Sequence, residues 1–462
     1  MKKLIIAEKP SVAADLAAAL GKFKKNKDFF ENDEYIITSA LGHLAELYMP
    51  EDIDEKLKRW NPADLPIIPQ NFKLKPIERT KQKFQDVKKL INREDVNALI
   101  NACDAGREGE LIFSHIYELT KCKKSVERLW MLSMTPSGIR DAFSHLRTQE
   151  EMRSLEDAAK CRSESDWLVG INGTRIITSK MYGRRVGSVA SVGRVQTPTL
   201  ALVVERERAI RNFKPRTFWN IKGKFKIHSG EYEGIYQKPN FSKKSDDEHD
   251  RIDRLWEKAT ADQILLEINN KPIAIVSEKK KRTTQISPRL YDLTSLQREA
   301  NNRFGFSAGS TLKIAQALYE RHKVLTYPRT DAKALPEDYA NVCHDVLKIL
   351  PNEYAPFAHT ILEKNWINPF NKRVFNNKDV SDHFAIIPTN FKSDKLSEPE
   401  YKIYDMVVRR FLAVFYPAAE YDVTTRISQV AVHDFKTEGK ILVNAGWQAI
   451  YGKDESAKDA LP

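Results

Sequence analysis

The sequence predicts a multidomain chain: an N-terminal α/β domain, then helical and β-rich parts. Three observations predict it. The 462 residues exceed what one ordinary hydrophobic core fills. An apolar strand running through a turn or acidic loop into a helix occurs twice within residues 1–149. Beyond residue 215 the apolar spacing changes to alternation, is interrupted, and alternates again.

The first strand is Leu4–Ala7, followed by a turn at Lys9-Pro10 and a helix over Ser11–Leu20. Ser11 is the expected N-cap and Gly21 the expected stop. The second strand, Val96–Cys103, runs into Asp104-Ala105-Gly106-Arg107-Glu108-Gly109-Glu110 and a helix over Leu111–Tyr117. This grammar puts ligands at the carboxyl ends of parallel strands. We place this domain at 1–149 and a mainly helical one at 150–214. A β-rich part follows at 215–282, with alternating Phe218, Ile221, Phe225 and Ile227 and a polar exposed loop at Ser242–Asp253. The tract Lys279-Lys280-Lys281-Arg282 marks the exit into a helical region at 283–407. Alternation returns in Tyr421, Val423, Thr425 and Ile427, within 408–462. A β domain split by an inserted helical one is the expected arrangement.

Composition narrows the class. Hydrophobic residues are 41% and charged residues 30%, a globular balance rather than a disordered one. Lys and Arg number 75 against 63 acids, a net charge of +12. A polyanion such as nucleic acid is the natural partner, although a basic balance also serves solubility. The cysteines Cys103, Cys122, Cys161 and Cys343 form no Cys-x-x-Cys pair, against a zinc ribbon or a disulfide framework. The apolar run Leu4–Ala7 is too short for a signal segment, and nothing downstream approaches a membrane span. A cytoplasmic location without a membrane is expected.

Four segments carry candidate chemistry. Glu8, Asp104 and Glu108 gather at strand ends, where carboxylates repel unless a cation holds them, and hard oxygen donors suit Mg²⁺. The competing reading is that the acids of 104–110 complement a helix N-terminus. In Leu325-Thr326-Tyr327-Pro328-Arg329-Thr330-Asp331, a phenol sits on a restrained turn beside a permanent cation. Arg329 suits phosphate, and the phenol needs help to attack one. With 16 tyrosines, an isolated Tyr-Pro pair would mean little. Ser191-Val192-Gly193-Arg194-Val195-Gln196-Thr197-Pro198 offers close backbone approach and phosphate- or base-binding side chains, but equally a helix start near Thr197-Pro198. Ser381-Asp382-His383-Phe384 places a histidine after an acid; a lone histidine is more often structural.

Together, in colinear order, these segments resemble the type IA DNA topoisomerases, specifically the bacterial topoisomerase III branch. The resemblance runs from Ile6-Ala7-Glu8-Lys9-Pro10-Ser11 through Gly42-His43-Leu44, Asp104–Glu110 and Asp166-Trp167-Leu168-Val169-Gly170. It continues through Gly193–Pro198, Asp292–Asn301, Thr326–Asp331 and His383–Pro388 to Gly446-Trp447. It implies an N-terminal Toprim domain and a toroidal core whose helical insert carries the tyrosine. It also implies ATP-independent, reversible transesterification through a 5′-phosphotyrosine, relaxing or decatenating DNA; no Gly-x-x-x-x-Gly-Lys loop is present.

By resemblance, Tyr327 is the nucleophile, Glu8 transfers a proton near the 3′-oxygen, and Lys9 and Arg329 stabilise the phosphate. His383 contacts the scissile region. Glu8, Asp104 and Glu108 hold Mg²⁺. Arg162, Asp166, Arg194 and Gln196, with Ser191 and Thr197, line the single-strand groove. The implied partner is single-stranded or underwound DNA and the implied state a monomer; a helicase is a candidate protein partner that the sequence does not identify.

Two departures matter. The middle acid of the Asp-x-Asp-x-Glu pattern is Gly106, so metal binding is expected to weaken or to draw on water or Glu110. The chain ends at Pro462 soon after Gly446-Trp447, so the fourth domain is expected to be incomplete. Two rivals stand beside this reading. Another Toprim enzyme, a primase or nuclease, would have no use for Tyr327-Pro328-Arg329. A binding remnant would hold DNA in a salt-dependent way and never cut.

Overall fold

The computed structural model describes residues 1–183, 187–242, 247–269, 271–393, 395–453 and 461. Positions 243–246 of the expected polar loop, and 454–460 and 462 of the chain end, lie outside the described residues. The chain divides into two compact units, one of Met1–Asn212 with Arg329–Asn341 and Pro369–Ala385, the other of Phe213–Pro328, Val342–Asn368 and Ile386–Pro462.

The first unit is built on a seven-stranded sheet. Its strands are β1 (Lys2–Ala7), β2 (Lys24–Lys25), β3 (Phe29–Glu31) and β4 (Tyr35–Ser39), then, after a separate hairpin of β5 (Ala45–Leu47) and β6 (Leu74–Pro76), β7 (Val96–Ala102), β8 (Ser125–Arg128) and β9 (Arg147–Thr148). The order is β2-β3-β4-β1-β7-β8-β9, with β4, β1, β7 and β8 parallel. The helices are α1 (Pro10–Leu20), one-turn α2 (Pro50–Ile53), α3 (Lys81–Ile91), α4 (Arg107–Thr120), α5 (Pro136–Ser144), α6 (Gln149–Tyr182) and α7 (Gln196–Arg211).

The unbroken apolar run of β1 follows from burial on both faces. Side chains alternate across a strand, so Leu4 and Ile6 meet Val87, Ile112 and Phe113 on one side. Ile5 and Ala7 meet Leu16, Ala17 and Ile139 on the other. Burying each large side chain contributes roughly 1.5–3 kcal/mol.

Helix α1 begins at Pro10, not at a Ser11 cap: Lys9 takes the N-cap position without a side-chain hydrogen bond, and Pro10 supplies the first helical residue, whose N–H would be unsatisfied anyway. Helix α4 starts a turn earlier than its apolar run, because Gly106 is the N-cap and Glu108 and Glu110 occupy the first turn. Similarly, α7 starts at Gln196 with Val195 as N-cap. No residue of α7 is buried, and Leu200, Leu202 and Val203 are each more than 60% exposed.

Buried on α4, His115 has its Nδ1 without a hydrogen-bond partner. Burial first, then the charges of His43 and Lys160, lowers its pKa to about 4. An unfolded imidazole takes its proton near the ordinary value of 6.5, so between there and 4 the unfolded chain binds more protons. Stability should therefore fall by about 1–3 kcal/mol as pH drops through that window. Urea unfolding of the parent and His115→Gln across it checks this; the variant should lose that part of the slope, and equal slopes would refute it.

The second unit holds a five-stranded antiparallel sheet. Its strands are β10 (Lys222–Ile227), β11 (Gly230–Gln237), β12 (Ile275–Gln285), β13 (Ala419–Val430) and β14 (His433–Asn444), in the order β10-β11-β14-β13-β12. The pairing of β12 with β13 joins residues 275–285 to 419–429, so one sheet carries β segments from both sides of the helical stretch. That stretch contains α9 (Leu293–Phe304), α10 (Ala308–Glu320), α11 (Ala340–Ile349), α12 (Ala355–Glu363) and α13 (Glu398–Ala413), after α8 (Lys258–Asn269). Lys279-Lys280-Lys281-Arg282 lies inside β12 rather than at an exit. It is exposed on an edge strand, where lysines oppose edge-to-edge pairing. Among the described residues, no helix is long and apolar enough to cross a membrane.

Candidate active site

The site starts from the register of the parallel strands. Ala7 of β1 pairs with Ala102 of β7, so the residues that follow leave the sheet side by side at its carboxyl edge. Those residues are Glu8 and Lys9 on one strand and Cys103 and Asp104 on the other. Lys9 Nζ lies 2.9 Å from Asp104 Oδ2 and 3.6 Å from Glu8 Oε1. Glu8 is 8% exposed, and its Oε2 has no hydrogen-bond partner.

Burial, then the Asp104 charge, raises the Glu8 carboxyl above its usual range, against the opposing pull of Lys9. Asp104 goes the other way. Burial would raise it, but hydrogen bonding from His383 and Lys9, with their charges, outweighs that and holds it below the usual range. Two adjacent carboxyls thus divide the labour: Asp104 stays ionised while Glu8 more readily keeps a proton.

A buried arginine fixes the Asp104 loop. Arg128, at the end of β8, is 1% exposed. Its guanidinium donates to the carbonyls of Asn101 (3.0 Å), Cys103 (2.8 Å), Leu129 (2.9 Å) and Asp104 (2.6 Å). Its Nε donates to Glu110 Oε2 at 3.0 Å. Glu110 is therefore committed to Arg128 and to Asn101 Nδ2 (3.2 Å) in the interior, which removes it as a stand-in for the acid absent at position 106. Gly109 lets α4 approach this loop: a Cβ there would lie 2.2 Å from the Asp104 carbonyl oxygen.

His383 arrives from a different segment of the same unit. Its Nε2 lies 3.4 Å from Asp104 Oδ2. Thr330 Oγ1 donates to the His383 carbonyl (3.0 Å), Ser381 Oγ to Asp331 (2.6 Å), and Ala385 N–H to the Ala334 carbonyl (3.0 Å). The strip 381–385 is thereby pinned along 330–334. A cleft beside it is lined by Arg107, Arg162 and Arg329 together with Glu108, Asp382 and His383. Three guanidinium groups facing one cleft suit an anionic backbone.

Not every expected residue joins this cluster. Glu108 turns to His43, whose Nε2 is 2.6 Å from Glu108 Oε1, and that bond lowers its pKa. Among the described residues, no three His, Cys, Asp or Glu side chains are gathered as a ligand cage. The donor set still fits a hard cation. Glu8 presents an orphaned buried carboxylate oxygen, and burial first, with the Asp104 charge adding to it, raises the pKa of both Glu8 and Asp382.

The residues expected to line a groove form a second group. Asp166 Oδ1 on α6 lies 3.4 Å from Arg194 Nη1, and Arg194 reaches the Arg162 carbonyl at 3.3 Å. Thr197 Oγ1 accepts from Gly193 N–H at 3.1 Å, while Thr174 Oγ1 accepts from Val192 N–H at 3.0 Å. Gly173 permits the close seating of that loop on α6, since a Cβ would meet Val192 Cγ1 at 2.6 Å. Ser191 and Gln196 are exposed beside it.

Tyr327 belongs to the second unit, half-buried, its ring edge-on to Tyr319 with centroids 5.4 Å apart. Thr326 N–H donates to the Ile387 carbonyl, and Ile387 N–H to Thr326 Oγ1, both at 3.0 Å. Sequence reasoning gave no role to Arg128, His43, Arg107 or Asp382. His43, Arg107 and Asp382 lay within segments singled out above, while Arg128 lay in none.

Acids, a lysine and a histidine at the carboxyl edge of a parallel sheet, with guanidinium groups alongside, make an α/β domain suited to an anionic ligand such as a phosphodiester. Comparison with known proteins makes the class specific. A Toprim domain model matches residues 3–134 and a DNA topoisomerase model residues 150–462. The chain belongs to the type IA DNA topoisomerase family.

Among individual proteins, it is similar to DNA topoisomerase 3 of Bacillus cereus, 42% identical over 459 residues, covering 97% of this chain and 59% of that protein. DNA topoisomerase 3 of Bacillus subtilis is 39% identical over 456 residues, covering 98% and 60%. The chain thus spans about three fifths of the length of the curated relatives it matches. Full-length topoisomerase I from Thermotoga maritima shares the fold, with a TM-score of 0.61 at 23% identity over 99% of this chain and 69% of that one.

Proposed function

We propose that the chain cuts and rejoins single DNA strands by transesterification, relaxing underwound DNA or decatenating it without ATP. The observation that carries the reading is the strand-end pair of Glu8 and Asp104, bridged by Lys9 and touched by His383, beside a cleft of three guanidinium groups.

Tyr327 Oη forms a bond to phosphorus as the bond from phosphorus to the 3′-oxygen breaks. The phenolic proton leaves to solvent, and Glu8, whose pKa is raised, gives its proton to the departing oxygen. One phosphodiester replaces another, so resealing needs no external energy. Lys9, Arg329 and His383 stabilise charge on the transferring phosphate. Glu8 and Asp104 would hold Mg²⁺, with Glu108 joining on release from His43; the metal supplies neutralisation of phosphate charge. Arg162, Asp166, Ser191, Arg194, Gln196 and Thr197 take the strand upstream of the cut.

In this reading residues 1–149 carry the acids, 150–214 the groove, 215–282 and 408–462 the β-rich arch, and 283–407 the tyrosine. Action as a monomer in the cytoplasm, on DNA opened by a helicase, completes it.

The test is to incubate the chain with an end-labelled single-stranded oligonucleotide and Mg²⁺, denature it, and map the cross-linked peptide. A 5′-phosphoryl adduct on the peptide containing Tyr327 supports the proposal. Binding without any adduct supports the non-cleaving remnant instead.

A further inference from the structure

Residues 329–341 and 369–385 fold as part of the first unit, although they lie far from it in sequence. They are tied to each other first. Leu335 N–H donates to the Val374 carbonyl (2.7 Å), Asn376 N–H to the Leu335 carbonyl (2.9 Å), and Lys372 pairs with Glu337 at 2.8 Å. One carboxylate then reaches from this pair of segments to the α/β domain. Asp338 Oδ2 accepts from Ser133 Oγ at 2.7 Å and from Thr135 Oγ1, on the approach to α5.

The seat is closely built. A Cβ on Gly138 would lie 2.9 Å from Asp338 Oδ2 and 2.7 Å from Ser133 Oγ, so a side chain there would push the carboxylate out. Thr135 already caps α5, accepting from Gly138 N–H at 3.0 Å, and the helix does not need Asp338 for that purpose. The residue after Asp338 carries the connection inward. Tyr339 is buried, and its ring packs on Phe384 with centroids 4.6 Å apart. Phe384 follows His383, whose Nε2 lies 3.4 Å from Asp104 Oδ2.

We propose that Asp338 is a positioning residue for strand cleavage: its clasp on Ser133 and Thr135 seats Tyr339 against Phe384 and so holds His383 at Asp104. The inference rests on the role given to His383 above. Asp338 is not among the residues lining the cleft of guanidinium groups, so its effect on chemistry travels through packing.

Hydrogen exchange of the DNA-free chain tests the clasp without any chemistry. In Asp338→Ala, amides of 330–335 and 382–385 should exchange at least about fivefold faster while those of β1 and β7 keep the parent rate, the mark of local release rather than unfolding. Unchanged exchange in those two segments overturns the proposal.

Covalent adduct formation on a single-stranded oligonucleotide with Mg²⁺ tests the consequence. Asp338→Ala should slow it about tenfold with strand binding within about twofold, because small displacements at a reacting centre are costly. Asp338→Asn keeps an acceptor oxygen for both hydroxyls and should stay within about threefold of the parent. An asparagine variant as slow as the alanine one overturns the clasp.

A double-mutant cycle separates positioning from a merely structural role. Asp338→Ala/His383→Ala should be no more than about twofold slower than His383→Ala alone, because the clasp acts through that histidine. Losses that multiply overturn the proposal. A parent chain that forms no adduct overturns the cleavage reading, and this role with it, whatever the exchange shows.

Discussion

Tyr327→Phe should abolish the covalent DNA adduct while leaving single-strand binding within about twofold. The geometry makes this a one-atom experiment. The Tyr327 ring packs edge-on against Tyr319, and the preceding residue is fixed by two hydrogen bonds to Ile387, contacts that phenylalanine keeps. Only Oη goes, and with it the atom that would bond to phosphorus. Removing a nucleophile typically costs at least about 10⁴-fold in the chemical step. Gel quantification of denatured adducts, beside a binding titration under matched salt, reads both quantities. Adduct persisting at a tenth of the parent level would move the nucleophile elsewhere and undo the proposed mechanism.

The second large effect should come from a residue that need not touch DNA at all. Arg128→Met is expected to destabilise the chain by about 3–5 kcal/mol, the usual consequence of stranding one partner of a buried ion pair. Glu110, 6% exposed, would lose the cation that offsets its burial. The carbonyls of Asn101, Cys103 and Asp104 would lose their donor together. Arg128→Met/Glu110→Leu removes the stranded charge and should recover part of the loss, because exchanging a whole buried pair for apolar groups is far milder. Urea unfolding of the three proteins tests this. If the double variant is no more stable than Arg128→Met, the ion pair is not what the single variant breaks.

The α/β grammar was legible because β1 and β7 are buried on both faces, and their apolar runs end abruptly in acids. The split sheet was legible from alternation in 218–236 and 421–427, since a half-buried strand must alternate. Helix starts were less so: Ser11 looks like a cap, yet Pro10 begins the helix, a first-turn preference of proline that competes with the capping preference of serine. Arg128 was invisible, because in sequence a buried, five-bonded arginine looks like any surface arginine. That the Asp382 carboxylate packs against Gly106 was invisible for a related reason. Proximity to Asp382, 276 positions further along, is a property of tertiary packing that local pattern does not carry.

Helix α7 has a consequence for amide exchange. With none of its side chains buried, its 16 residues are held by their own backbone hydrogen bonds, near the length at which an isolated helix is marginal in water. Its amides should trade deuterium far sooner than those of β1 or β7, whose opening requires losing the core. Slow exchange in α7 would then report the arrival of whatever molecule or segment comes to cover Leu200, Leu202 and Val203.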